Sequence, residues 1–122
     1  MRESDFQNWV VEVARRFGWL VFHVPAPMRA TKQGFVGAKE AAGLADLIMF
    51  HDDPPRLVFA ELKGPKGKLS DKQREFLQAV HRVSHEAIAC ANVRGERVLD
   101  SYAWAPGQEA SIEALLRSRV LS

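Results

Sequence analysis

Asp46, Glu61 and Lys63 are the residues whose types and spacing best suit chemistry. Asp46 opens one apolar run, Asp46 to Phe50, and Glu61 and Lys63 close a second, Leu57 to Leu62 and its next residue, with the breaker-rich HDDPPR between them. A hairpin turning between Asp53 and Pro54 sets Phe50 against Leu57, Ile48 against Phe59, and Asp46 against Glu61. Directly opposed side chains on one face have Cβ atoms roughly 4.5–5.5 Å apart. Two carboxylates so placed repel by roughly 3 kcal/mol at an effective dielectric of about 20, a sizeable share of the ~10 kcal/mol that holds a small domain together. A proton on one acid, the Lys63 ammonium on the same face as Glu61, or a bound divalent cation would each relieve this. Two or three carboxylates with waters and a phosphate form a hard oxygen donor set that suits Mg²⁺ or Mn²⁺. A metal held by Asp46 and Glu61 would polarise a phosphodiester and lower the pKa of a bound water. Lys63 would orient that water or stabilise charge building on the phosphate. The bland alternative is a surface hairpin end with a Glu–Lys pair, and the E-x-K tripeptide alone does not separate the two.

The hairpin has to sit where both its faces are buried, because Leu47, Met49, Val58, Ala60 and Leu62 make the second face apolar as well. A one-residue slip would put the two acids on opposite faces. Ahead of it, Phe6, Trp9, Val10, Val13, Ala14 and Phe17 follow helical spacing, with Gly18 as the stop. Glu3 and Gln7 extend the inward stripe; Glu3 either serves the positive end of the helix dipole or aims a carboxylate at the sheet. Trp19 to Val24 reads as a strand closed by Pro25 and Pro27, with His23 a packed or partly exposed member. Residues 26–43 show no period, apart from a short helix around residues 38–42. So long a loop in a small domain suggests a substrate-contacting segment.

Beyond the hairpin, Ser70 to Gln73 fits a capping box, with Phe76, Leu77, Val80 and Val83 as the buried stripe and Gln73 pointing inward. His81 and His85 lack a convincing third ligand and read as charge complements to a helix C-terminus. Residues 87–93 read as a strand, Val98 to Trp104 as a strand or an irregular segment, and Ile112, Leu115, Leu116 and Arg119 as a short final helix.

Composition narrows the class. The chain has 122 residues, 47% hydrophobic and 26% charged, which suits a single domain over residues 1–122. The net charge is only +2, but it is unevenly spread. Lys63, Lys66, Lys68, Lys72 and Arg74 crowd around one acid, Asp71, and Arg29, Lys32 and Lys39 precede the hairpin. Such patches suit a polyanion bound at one place; a solvated face is the alternative. The single cysteine, Cys90, excludes an internal disulfide and a cysteine-based zinc site, and its apolar neighbours suggest a buried, inert thiol. With no signal peptide and no apolar run near the roughly 18 residues of a membrane span, a cytoplasmic protein with no membrane partner is expected.

Four pieces in order carry a resemblance: Glu3-x-x-Phe6-Gln7, Gly43-Leu44-Ala45-Asp46-Leu47, Phe59-Ala60-Glu61-Leu62-Lys63, and Leu69-Ser70-x-x-Gln73. Together they resemble the VRR-NUC (virus-type replication-repair nuclease) branch of the PD-(D/E)xK phosphodiesterases. Val24-Pro25 followed by Arg29, and Trp104-x-Pro106, are similar too. The resemblance implies an α/β fold with a restriction-endonuclease-like αβββαβ core, a mixed central sheet flanked by helices. It implies that Asp46 and Glu61 bind Mg²⁺ or Mn²⁺ with the backbone carbonyl of Leu62, and that Glu3 acts directly or through water. Lys63 would be the catalytic lysine and Gln73 a supporting residue. Arg29, Lys32, Lys39, Lys66, Lys68, Lys72 and Arg74 would hold DNA. Ala45 stands where a proline is usual, and Ala105 where an arginine is common. Stand-alone phage and bacterial members resemble Holliday-junction resolvases, which implies a homodimer acting on branched DNA. The expected function is a metal-dependent, structure-selective endonuclease. The alternatives are a catalytically silent nucleic-acid-binding module of the same fold, or an interaction domain with no nucleic-acid role.

Overall fold

Helical spacing of Phe6, Val10, Val13 and Ala14 produces helix α1 (Glu3–Arg16) in the computed structural model, which describes residues 1–24, 30–31, 34–35, 43–91, 98–119 and 121, with the backbone alone at 30–31, 34–35 and 87–91. Glu3 and Asp5 occupy its first turn and Arg15 and Arg16 its last, each matched to its end of the helix dipole. Gly18, at φ +88°, ends it: Gly18 N–H donates to Arg15 O and Trp19 N–H to Ala14 O, closing a Schellman turn that only glycine enters without strain.

Among the described residues six strands and two further helices follow: β1 (Leu20–His23), β2 (Ala30–Thr31), β3 (Gly34–Phe35), β4 (Leu47–Asp52), β5 (Pro55–Leu62), α2 (Asp71–Ala91), β6 (Leu99–Trp104) and α3 (Glu109–Arg117). β2 and β3 form a small ribbon of their own, while the main sheet has the order β1-β4-β5-β6. Its first three strands are antiparallel and β6 runs parallel to β5. With the ribbon set aside, the order is αβββαβ plus a final helix, a mixed four-stranded sheet consistent with a restriction-endonuclease-like fold.

The hairpin has the register expected of its turn, from Leu47 opposite Ala60 to Asp52 opposite Pro55. Its strands run further towards the turn than the apolar runs suggest, because His51, Asp52, Pro55 and Arg56 join the ladder. Side chains fasten that end. A His51 ring nitrogen lies 3.0 Å from Phe17 O, and Arg56 donates to Pro54 O and Ser118 O while lying over the Trp19 ring. Trp19 donates its indole N–H to Leu116 O at 2.8 Å.

One sheet face meets α1 and α3 in the core: Leu47, Met49, Val58, Ala60 and Leu62 pack with Phe6, Val10, Ile112 and Leu116, all essentially inaccessible. The other face receives α2, where Phe59 and Phe76 meet edge to face at 5.2 Å and Ser101 donates its hydroxyl to Leu77 O. β5 therefore lies between β4 and β6 with α1 on one side and α2 on the other.

Three expectations change around α2. Helix continues through Ala91, so residues 87–91 are not a strand, and residues 92–93 lie outside the described set. An apolar run rich in alanine has no period of its own, and alanine favours extension of the helix already begun. Val83 is 57% exposed rather than buried; Leu77 and Ser84 are the buried positions of that stretch. His81 and His85 consequently lie inside the helix, with His81 Nδ1 3.0 Å from Asp100 Oδ1, so complementing a helix end does not explain them. The short helix expected at residues 38–42 and the Cys90 side chain fall outside what is described. No helix among the described residues is long and apolar enough to cross a membrane.

Candidate active site

Asp46 sits one position beyond the last β4–β5 pair, and both its main chain and its side chain are engaged. Its carbonyl accepts Val24 N–H at 2.8 Å, which continues the pairing with β1. Its Oδ2 accepts Leu62 N–H, also at 2.8 Å. The side chain thus replaces the main-chain bond that would otherwise extend the ladder, and it ties Asp46 to the peptide between Glu61 and Lys63. Gly43 fixes the approach to Asp46. A Cβ there would lie 2.7 Å from Lys72 O, so the chain can pass the first turn of α2 only without a side chain.

Glu61 is buried at 2% exposure on the α2 face of β5. Its Oε1 accepts a hydrogen bond from Gln73 Nε2 at 2.8 Å and lies 3.2 Å from Lys63 Nζ. Its Oε2 is buried with no hydrogen-bond donor. Burial first, and the Asp46 charge second, push the Glu61 carboxyl up from an ordinary 4.5 to about 7, with Lys63 partly offsetting both. This is the electrostatic tension that direct opposition of the acids implies.

Gln73 belongs to two structures at once. Its N–H donates to Ser70 Oγ at 3.1 Å and its Oε1 accepts Ser70 N–H at 2.8 Å, a complete capping box. The remaining amide nitrogen is the donor to Glu61. Helix start and acid are therefore aligned by one side chain.

Lys63 follows β5, and its N–H donates to Trp104 O at 2.9 Å, which continues the pairing with β6. Gly67 folds back on its stem: a Cβ there would meet Lys63 Cβ at 3.1 Å and Cδ at 3.2 Å. Glu3 is exposed, and its Oε2 lies 3.7 Å from where a Cβ on Gly64 would stand, which places it at the rim beside the end of β5. Among the described residues no three His, Cys, Asp or Glu side chains are gathered as a metal-binding cluster, so Glu3 does not join Asp46 and Glu61 in one.

Sequence reasoning thus names Asp46, Glu61, Lys63 and Gln73 as neighbours, and the fold brings them together. It misses the small residues that shape the site. Ala103 is the register partner of Glu61 on β6, while Gly64 and Gly67 let Glu3 and Lys63 pack closely. The glycines of Gly64-Pro65-Lys66-Gly67 are a visible turn signal, but a cross-sheet partner of Glu61 has none. Lys66, Lys68, Lys72 and Arg74 are exposed around this end of the sheet, while Arg29, Lys32 and Lys39 lie outside the described residues.

Comparison with known proteins gives one family: the model of the VRR-NUC domain matches residues 30–94, more than half of the chain. No match was found among curated proteins or among solved structures.

Proposed function

Because the chain belongs to the VRR-NUC family and so carries a nuclease-type domain, we propose that it is a metal-dependent DNA endonuclease, with residues 1–122 forming one such domain. The observation that carries this reading is the state of Glu61: buried, with Oε2 lacking a donor, and pushed to about 7 beside Asp46. A carboxylate pair in that state gains most from a divalent cation. The donors here are Asp46, Glu61 and the Leu62 carbonyl, with Glu3 reaching through water from the rim. So few protein ligands, all oxygen, fit Mg²⁺ or Mn²⁺, which keep several waters. When bound, the cation would polarise the scissile phosphate and acidify a water.

The chain's own residues do the rest. Gln73 holds Glu61 in one orientation, and Leu62 N–H does the same for Asp46. Lys63, its stem confined by Gly67, offers an ammonium to the attacking water or to charge developing on the phosphate. Lys66, Lys68, Lys72 and Arg74 surround the site with charge suited to a DNA backbone.

We take branched DNA as the preferred substrate and a homodimer as the active form, since a two-fold pair is an economical way to cut two strands symmetrically. The test is incubation with branched and linear DNA in Mg²⁺ or Mn²⁺, with and without chelator. Cleavage should need metal and disappear in Asp46→Ala and Lys63→Ala. Cleavage that survives either variant sinks the assignment, and metal-independent binding without turnover points to a silent binding module. Sedimentation at micromolar concentration tests the dimer, and a monomer that still resolves junctions rejects it.

A further inference from the structure

Beside the carboxylates, α2 and β6 enclose an open groove of about 540 Å³ of whose residues only Arg74 has a part in the proposed function. Its floor includes Leu77 and Ala103, and its helical wall carries Arg74, Gln78, His81 and Arg82. Arg74, Gln78 and Arg82 recur every four residues and so line one face of α2. All four wall residues are exposed. Arg74 lies 3.5 Å from Asp71 and His81 meets Asp100, whereas Arg82 has no ion pair among the described residues. None of the groove's described residues is acidic.

Two residues of the groove neighbour residues of the candidate active site. Ala103 is the register partner of Glu61, and Arg74 directly follows the Gln73 that holds Glu61. A strand leaving the carboxylates on this side therefore enters the groove. Its chemistry distinguishes what that strand can be. A duplex offers a protein surface mainly its phosphates. A recess with an apolar floor and guanidinium groups spaced about 12 Å apart along a helix suits unpaired nucleotides, whose bases cover the floor while their phosphates meet the arginines.

We infer that the α2–β6 groove binds an unpaired stretch of nucleic acid strand next to the cleavage site, with Arg82 and Gln78 as its specific contacts. The choice of occupant rests on the nuclease reading; the groove and its charge do not. Among branched substrates it favours flaps and splayed arms, which supply unpaired nucleotides where a blunt duplex or a fully paired four-way junction has none.

Fluorescence anisotropy with the full chain in chelator, where nothing is cut, tests the inference. The probes are a blunt duplex and the same duplex with an oligo-dT overhang. The overhang should tighten binding by about tenfold, within the range that base contacts in single-strand sites give. Arg82→Ala and Gln78→Ala should each remove most of that gain while leaving blunt-duplex affinity within about twofold, as expected of contacts outside the duplex path. Arg82→Lys should keep about half of the gain on the logarithmic scale, since a point charge replaces the planar fork. Circular dichroism confirms that the variants fold. An overhang that gains nothing in the wild type, or a gain untouched by both alanine variants, overturns the inference. So does displacement by polyglutamate as effective as by oligo-dT, which would reduce the groove to a general polyanion surface. The two readings fail separately: an overhang gain without any cleavage in metal sinks only the nuclease, and cleavage without the gain sinks only the groove.

Discussion

Gln73 and Glu61 meet through one hydrogen bond of 2.8 Å, and the same amide that donates it also closes the capping box of α2. Helix initiation and acid orientation therefore depend on a single side chain, and substitutions can separate them. Gln73→Ala should cost about 1 kcal/mol through the lost cap and lower cleavage by about 10-fold or more through the freed carboxylate, as supporting contacts in metal sites do. Gln73→Glu keeps an acceptor for Ser70 N–H but replaces the donor to Glu61 with another carboxylate. Thermal melting in chelator and cleavage rates in metal should show the cap largely kept and activity lost. Wild-type activity in Gln73→Glu would mean that Gln73 serves only the helix.

Glu61 should destabilise the metal-free protein as pH rises. Its folded pKa of about 7 exceeds the ordinary 4.5, so between these values the native state binds the proton that the unfolded state releases, and stability falls with pH. The penalty is absent below about 4.5 and complete above about 7, with a ceiling of roughly 3 kcal/mol. Glu61→Gln should abolish cleavage yet raise the chelator-treated melting temperature at pH 8, with the advantage fading towards pH 5. A pH-independent difference between the two proteins contradicts this.

Divalent cations should counteract that penalty. Addition of Mg²⁺ or Mn²⁺ without DNA should raise the wild-type melting temperature more at pH 8 than at pH 5.5, because ionised carboxylates bind the ion. Asp46→Asn, which keeps an oxygen for Leu62 N–H but loses the charge, should show little of this response. A shift of equal size in the variant would locate the bound ion elsewhere.

Gly67→Ala tests the placement of Lys63. The added methyl would press on Lys63 Cβ and Cδ at 3.1 and 3.2 Å and on the Gly64 backbone nitrogen at 3.3 Å, contacts that a small shift of the lysine and its turn relieves. The expected result is a stability change below about 1 kcal/mol and a several-fold loss in kcat with KM nearly unchanged. Gly43→Ala should behave differently. Its methyl would meet the Lys72 carbonyl at 2.7 Å, and backbone yields less readily, so a loss of about 1–3 kcal/mol is expected. Urea unfolding distinguishes the two.

The hairpin register was legible because the turn is symmetric and both strand faces are apolar, which leaves few alternative pairings. The capping box was legible because its partners lie three residues apart. Two sorts of feature were not. Residues 87–91 carry no polar residue to mark a period, so the alanine-rich run resembled a buried strand although it extends α2. The pairing of Glu61 with Ala103 belongs to a parallel crossover through the whole of α2, and nothing local in the sequence encodes that register. Asp46 lies between these cases. Its opposition to Glu61 followed from the turn, but its bond to Leu62 N–H did not.

That last bond makes one amide proton a built-in spectroscopic reporter. Leu62 N–H points to a side-chain carboxyl oxygen rather than to a neighbouring strand's carbonyl, so its ¹H shift should register any change in the electron density of Asp46. In a ¹H–¹⁵N spectrum the Leu62 peak should move on titration with diamagnetic Mg²⁺ even when no substrate is present. It should respond to Asp46→Asn more than the amides of Met49 or Val58 deeper in the same hairpin. Occupancy of the carboxylates could then be followed at a single nucleus, with no need for turnover.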